Sequence, residues 1–187
     1  QPLKPFKLLP LLKESLPILK FILIVTIAYF GIDFLYQNFY LDHYASPSVF
    51  RTDPFTRIYS KNVVSFLSLI GVKAVLNESA RNLGCYINVN GVNQVLVIAR
   101  CNGFPNILLL FSLLLAFPGP IKKKLWYIPM ALLILYGCNI VRVGLLAITN
   151  DSQYTQYFKY IKLLANVITH ISLLVIFLIW LKISLKK

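Results

Sequence analysis

Long apolar runs separated by clusters of lysine constrain this chain more than any other feature of its sequence. Runs such as Trp126–Ala147 and Ile161–Leu181 match the roughly 20 residues that a helix needs to cross the hydrocarbon of a bilayer. Hydrophobic residues make up 58% of the 187-residue chain, which is too apolar for an ordinary soluble domain. The sequence therefore predicts an integral membrane protein.

The formal net charge of +13 comes from basic residues at the membrane boundary, so it does not indicate a nucleic-acid-binding surface. Basic residues collect beside the apolar runs, as at Lys122–Lys124 and at Lys186 and Lys187, where they contact anionic headgroups and set topology. We therefore expect membrane lipids as partners and no nucleic acid.

The three cysteines, Cys85, Cys101 and Cys138, form no CxxC pair, and no histidine lies at metal-ligand spacing from them. This pattern favours neither a disulfide framework nor a zinc site. We expect no metal and no cofactor. An unpaired thiol at the oxidising face of a membrane is either damaged or retained for its reactivity.

Four apolar segments are predicted to span the membrane: Ile18–Tyr36, Phe104–Phe117, Trp126–Ala147 and Ile161–Leu181. Val63–Leu76 falls short of the roughly 20 residues of a span and is predicted to be an interfacial or re-entrant helix. If it does not cross, Lys122–Lys124 lies in the cytoplasm, as the positive-inside tendency favours. A crossing Val63–Leu76 is the alternative that the sequence leaves open.

The polar segments between the first two spans are predicted to lie outside the cytoplasm. Gln37–Ser60 is expected to be a loop, because Pro47 and Pro54 break helices. Asn90-Gly91 lies between β-branched runs and predicts a hairpin turn.

A two-residue turn at Asn90-Gly91 places Cys85 opposite Leu96, so a Cys85–Cys101 disulfide is not favoured. The predicted fold is an all-α membrane protein with four transmembrane helices, an interfacial or re-entrant helix and a small extracytoplasmic β-hairpin. We expect residues 1–187 to form a single domain whose outer cap covers about residues 37–100.

Arg100-Cys101-Asn102-Gly103 places a thiol where a strand-like segment meets an apolar helix. Arg142 lies about 24 Å along the predicted span Trp126–Ala147, in the outer third of the membrane. His170 lies about 13 Å below the outer surface in the predicted span Ile161–Leu181. An arginine inside a membrane costs at least ~2.5 kcal/mol and usually has a polar partner. The sequence therefore predicts that Cys101, Arg142 and His170 converge at one depth.

Asparagines accompany all three of these residues. Asn102 follows the cysteine directly, and Asn139 and Asn166 precede Arg142 and His170 by one helical turn each. A thiol must become a thiolate to attack a carbonyl, and a neighbouring base or positive charge favours that ionisation.

In this arrangement His170 can accept and return the proton, while Arg142 can stabilise the thiolate or an oxyanion. No acid in the last two helices can orient the histidine, so Asn166 or a backbone carbonyl must serve. Structural alternatives exist for each residue: Cys101 as a small apolar side chain, Arg142 extending to the interface, and His170 pairing helices.

Cys101-Asn102-Gly103, Asn139-Ile140-Val141-Arg142-Val143 and His170 together resemble the conserved Cys, Arg and His regions of the exosortase/archaeosortase family. The small size, the hairpin before the cysteine and the lysine-rich ends look like the exosortase F type. The resemblance covers residues 101–181. Asn102 departs from the Ser or Ala that is common in the family, and a chain with so few helices resembles a reduced form that a small accessory membrane protein could complete.

The resemblance implies a cysteine transpeptidase in a bacterial inner membrane, with its site facing the periplasm. It makes Cys101 the nucleophile, Arg142 the charge stabiliser and His170 the acid/base, and its substrates are exported proteins with a C-terminal hydrophobic sorting tail. Two other functions are weighed against it. One is a non-catalytic scaffold or assembly subunit, and the other is a small transporter, against which stands the lack of an inverted repeat.

Overall fold

The computed structural model describes the backbone of residues 8–46, 49–79, 83–149 and 155–185. Its elements are α1 Leu8–Leu35, a π-helical segment Tyr36–Leu41, α2 Asp42–Ala45, α3 Pro54–Leu69, β1 Ala74–Ser79, β2 Gly84–Val89, β3 Val92–Ile98, α4 Phe104–Ala116, α5 Ile121–Thr149 and α6 Thr155–Leu185. The protein is thus mostly helical, with one small sheet. The sequence between the last two predicted spans, Asn150–Tyr160, predicts a short outer loop; residues 150–154 lie outside the described residues, and helix α6 already begins at Thr155.

Three helices among the described residues are long and apolar enough to cross a membrane: Ser15–Ala45, Ile121–Thr149 and Tyr160–Leu185. Helix α4 is apolar but has 13 residues, a length of about 20 Å against the ~30 Å of hydrocarbon. Of the four predicted spans, the structure therefore supports three.

The segment Gln37–Ser60 is not the loop that its prolines suggest. The first helix continues to Ala45, and helix α3 begins at Pro54. Pro54 occupies the first turn, where a missing N–H costs nothing, and the Asp53 carboxylate accepts a hydrogen bond from Thr56 N at 2.9 Å. Proline therefore starts a helix here.

The prediction of one helix over Val63–Leu76 is also wrong, because α3 ends at Leu69 and strand β1 starts at Ala74. Gly71, with φ of +84°, turns the chain between the two elements in a conformation that favours glycine. Helix α3 is amphipathic and packs one face against the sheet and helix α5.

The predicted hairpin exists and belongs to a three-stranded antiparallel sheet in the order β1-β2-β3. Its turn is Asn90-Gly91, with Val89 paired to Val92. A register shift between Ile87 and Asn88 then places Cys85 opposite Val97 and not Leu96. Such a bulge adds one residue to a strand and re-aims every side chain beyond it.

Two groups of buried side chains hold these parts together. The sheet-side core joins α3, the sheet and the end of α5: Tyr59, Val63, Leu67, Ile87, Val89, Val97, Val143 and Ala147. The helix-side core joins α4, α5 and α6: Leu110, Leu114, Ala131, Leu135, Ile176 and Trp180. The Cys101 segment connects the sheet to helix α4 between these two cores.

Candidate active site

Cys101 lies in the tight turn that links strand β3 to helix α4. Its backbone N–H donates to Ile98 O at 2.8 Å, and its side chain is exposed. The adjoining Asn102 and Gly103 are buried. The thiol is therefore presented on the surface by a turn whose other members are fixed in the interior.

The Asn102 side chain fixes this turn to three helices. Its Oδ1 accepts from the Phe104 N–H at 3.0 Å, which satisfies a free donor at the start of α4. Its Nδ2 donates to Thr56 Oγ1 on α3 at 2.9 Å and to the Tyr36 hydroxyl at 3.3 Å. Ser or Ala cannot make this set of contacts, so Asn102 is a structural variant of the motif with its own partners.

Gly103 connects the cysteine turn to helix α5. Its φ is +84°, and an added Cβ would lie 2.9 Å from Asn139 Cγ and would collide with the Asn139 amide nitrogen. Both the backbone conformation and the close approach therefore require glycine. The sequence motif ending in Gly103 and the one beginning with Asn139 are in direct contact.

Asn139, in turn, binds Arg142, the arginine predicted to belong to the site. Arg142 donates from one terminal guanidinium nitrogen to Asn139 Oδ1 at 3.1 Å. Asn139 also bonds to Tyr59, whose hydroxyl donates to its backbone carbonyl at 2.8 Å and accepts from its Nδ2 at 3.0 Å. The Arg142 Nε–H is buried and has no partner among the residues that the structure describes. This donor is therefore left unsatisfied inside the described part of the protein.

Cys101 and Arg142 line one cavity of about 300 Å³ between the sheet, α5 and α6. Its lining residues are Gln94, Val95, Leu96, Val97, Cys101, Arg142, Val143, Leu146 and Lys162. Among these residues the charged side chains are Arg142 and Lys162, and none is acidic. The thiol therefore shares its cavity with two positively charged side chains.

Tyr59 lies in α3, outside the membrane-spanning segments, and its pKa is influenced by the charge of Arg142. Burial raises its pKa well above the ordinary value of a phenol, and the positive charge of Arg142 partly opposes that effect. The hydroxyl is thus protonated at neutral pH. Because Tyr59 is neutral and fully buried, its hydroxyl presents a fixed dipole to Asn139, the residue that binds Arg142.

His170 is not among the described residues that line the cavity. Its side chain is exposed, and Nδ1 lies 2.8 Å from the backbone O of Asn166. His170 lies about 12 Å beyond Lys162 along α6. Helix α6 begins at Thr155, before the predicted start at Ile161. The structure brings Cys101 and Arg142 together but does not bring His170 to them.

The contact with Asn166 nevertheless has a chemical consequence. A carbonyl oxygen can only accept, so Nδ1 of His170 carries the proton and Nε2 is left as the basic nitrogen. This is the backbone-carbonyl orientation expected in the absence of an acid.

The other two cysteines lie elsewhere, and all three are free. Cys85 is buried in strand β2, and desolvation raises the pKa of its thiol, which the hydroxyls of Ser60 and Thr52 partly offset. Cys138 is half-buried in α5. Within the described part of the chain, no three His, Cys, Asp or Glu side chains are grouped as a metal site requires.

Sequence reasoning missed Tyr59 and Lys162. Tyr59 lies in a segment predicted to be a loop, and its contact with Asn139 joins residues far apart in the chain. Lys162 had a usable signal, because it precedes His170 by two helical turns, at the start of the predicted span Ile161–Leu181.

These features define a multi-helix membrane protein with an exposed thiol beside an arginine in one cavity. The family model described as transmembrane exosortase matches residues 15–181. The chain belongs to the transmembrane exosortase family. No curated protein and no solved structure matches it. The resemblance to the F type is not tested by this match and stays a prediction.

Proposed function

We propose that this protein is a cysteine transpeptidase that removes the C-terminal sorting tail of exported proteins and transfers them to an acceptor in the cell envelope. The observation that carries the proposal is the shared cavity of Cys101 and Arg142. Membership of the transmembrane exosortase family supports it.

In the proposed reaction the Cys101 thiolate attacks the carbonyl carbon at the cleavage point. The peptide C–N bond breaks, the amine of the tail leaves with a proton, and the substrate remains as a thioester on sulfur. An acceptor nucleophile then attacks the thioester and returns the thiol. Arg142 stabilises the oxyanion of each tetrahedral intermediate, because its positive charge lines the same cavity as Cys101.

Two basic residues of helix α6 have candidate roles at the thiol, one as the acid/base and one as a positive charge. The family resemblance favours His170, and the contact of Nδ1 with Asn166 O leaves its Nε2 as a base. The geometry favours Lys162 as the additional positive charge at the thiol, because it lines the cavity. Comparing His170→Gln with Lys162→Gln separates them. Loss of the acid/base removes one limb of the pH–rate profile of cleavage, whereas loss of a nearby positive charge keeps both limbs and shifts the one that reports the thiol.

We further propose that the protein is a single domain in a bacterial inner membrane, with residues 37–100 as a periplasmic cap. Lys122–Lys124 lies at the start of α5 and is placed in the cytoplasm by the positive-inside tendency. Helix α4 must then bring the chain inward from Cys101, so it acts as a short fourth span. Its flanking residues, Phe117 to Pro120, supply the remaining length. Membrane lipids and a small accessory membrane protein are the proposed partners besides the substrates.

The exposure of His170 favours one alternative, a non-catalytic scaffold subunit that has kept the fold. In that case Arg142 and His170 only pair or orient helices, and Cys101 is dispensable.

The test replaces the chromosomal gene with wild type, Cys101→Ala or Cys138→Ala and quantifies, by mass spectrometry, the exported proteins that keep a C-terminal hydrophobic tail. Cys101→Ala should accumulate uncleaved tails. Cys138→Ala should behave as wild type, because its thiol is outside the cavity. Normal processing by Cys101→Ala at wild-type protein levels overturns the transpeptidase and supports the scaffold.

A further inference from the structure

Tyr59 makes two hydrogen bonds to the same residue, Asn139, across the interface between α3 and α5. Tyr59 is fully buried and Asn139 is 1% exposed, so water does not compete for these groups. Each bond therefore constrains which atoms can face each other.

The hydroxyl of Tyr59 has a single proton, which it donates to the Asn139 backbone carbonyl at 2.8 Å. Toward the Asn139 side chain the hydroxyl can then only accept, so the amide must present Nδ2, found at 3.0 Å. The opposite atom, Oδ1, is left pointing at Arg142, which donates to it at 3.1 Å. With the amide flipped, the amide hydrogens would face the guanidinium hydrogens and the Arg142 contact would be lost.

We infer that Tyr59 is a positioning residue: its hydroxyl sets the orientation of the Asn139 amide and thereby holds Arg142 in the cavity beside Cys101. This inference rests on the proposed function and adds to it a residue that does not touch the substrate. Gly103 packs on the same amide, which fixes the distance between the cysteine turn and the arginine.

The test is the rate at which iodoacetamide alkylates Cys101, followed from pH 5 to 10 on purified full-length protein in detergent. Peptide mass spectrometry reads Cys101 separately from the other cysteines. The described charged groups that face the cavity are Arg142 from α5 and Lys162 from α6. Neither is changed in the variants. Because Tyr59 itself interacts electrostatically with Cys101, the Asn139→Asp background described below separates a direct effect of its hydroxyl from an effect on the position of Arg142.

Tyr59→Phe keeps the buried ring and removes the hydroxyl. The alkylation profile should move to higher pH, and tail cleavage should fall about tenfold, as for one lost hydrogen bond to a catalytic group. The matched control is Tyr136→Phe, because Tyr136 packs against the Tyr59 ring at 5.6 Å and its hydroxyl accepts from Asn62. It should leave both readouts unchanged.

An Asn139→Asp background gives a second test of the same inference. A carboxylate offers an oxygen to Arg142 in either orientation, so adding Tyr59→Phe there should shift the alkylation profile no further. The inference is overturned if Tyr59→Phe leaves the profile unmoved, or if it shifts the profile equally in both backgrounds. If instead Cys101→Ala still cleaves tails, the proposed function fails, whatever the alkylation profiles show.

Discussion

Replacing Gly103 with alanine tests the contact between the cysteine turn and the arginine helix. The added methyl carbon would lie 2.9 Å from Asn139 Cγ and closer still to its Nδ2. Because Asn139 holds both Arg142 and Tyr59, the amide must move and break contacts that form the site.

Two terms set the size of the effect. A non-glycine residue at a φ of +84° costs about 1 kcal/mol. Displacing the Asn139 side chain also removes its hydrogen bond to the Arg142 guanidinium, worth about 1.5–3 kcal/mol, and a neutral one to Tyr59, worth about 1 kcal/mol. The free energy of unfolding should therefore fall by about 3.5–5 kcal/mol.

Gly71→Ala is the matched control, because Gly71 has the same φ of +84° and nothing lies within 4 Å of the position that its added methyl group would take. It should cost only the conformational term of about 1 kcal/mol. Unfolding midpoints in detergent, together with Cys101 alkylation rates, measure both variants. Equal destabilisation by Gly103→Ala and Gly71→Ala, with unchanged alkylation, would refute the argument that Gly103 packs on Asn139.

Three further outcomes are expected. Asn102→Ala should lower the free energy of unfolding by about 2–4 kcal/mol, because it removes the cap of α4 and the bonds to two other helices; an unchanged urea midpoint would contradict this. Iodoacetamide at neutral pH should label Cys101 in the folded protein and Cys85 only after unfolding, because Cys85 is buried with a raised pKa. Arg57 lowers the pKa of Glu78 below its ordinary 4.5. The stability that this ion pair adds is therefore full above about pH 4.5 and is lost as the pH falls through the lower pKa of the folded state. The difference in thermal midpoint between wild type and Glu78→Gln should disappear in acid.

Local backbone chemistry makes part of this fold predictable from the sequence. The prediction of the Asn90-Gly91 turn is confirmed, because both residues need positive φ, found at 55° and 87°. The register shift between Ile87 and Asn88 is not predictable in the same way, because packing of the sheet on α3 and α5 decides where a bulge forms. The predicted pairing of Cys85 is therefore off by one residue.

Proline position explains the error in the segment before the sheet. Pro54 by itself suggests a break in a helix, whereas Asp53 caps a helix in which this proline is the first residue. Tyr59, which lies in that segment, could not be recognised as part of the site.

The site itself is predictable in part. Two motifs contain Cys101 and Arg142, and the structure places both residues in one cavity. His170 could not be placed, because a depth counted along a helix says nothing about which way the side chain faces, and packing of α6 sets that rotation. Its role stays a prediction.

The most direct measurement of the central claim is the mass of the Cys101 peptide after the purified full-length protein is incubated with an exported substrate that carries its C-terminal tail. The account predicts an adduct on Cys101 equal to the substrate without its tail, released by hydroxylamine as expected for a thioester and absent from Arg142→Gln at short times. Removal of the tail without any adduct on Cys101, and with full activity retained in Cys101→Ala, would contradict it.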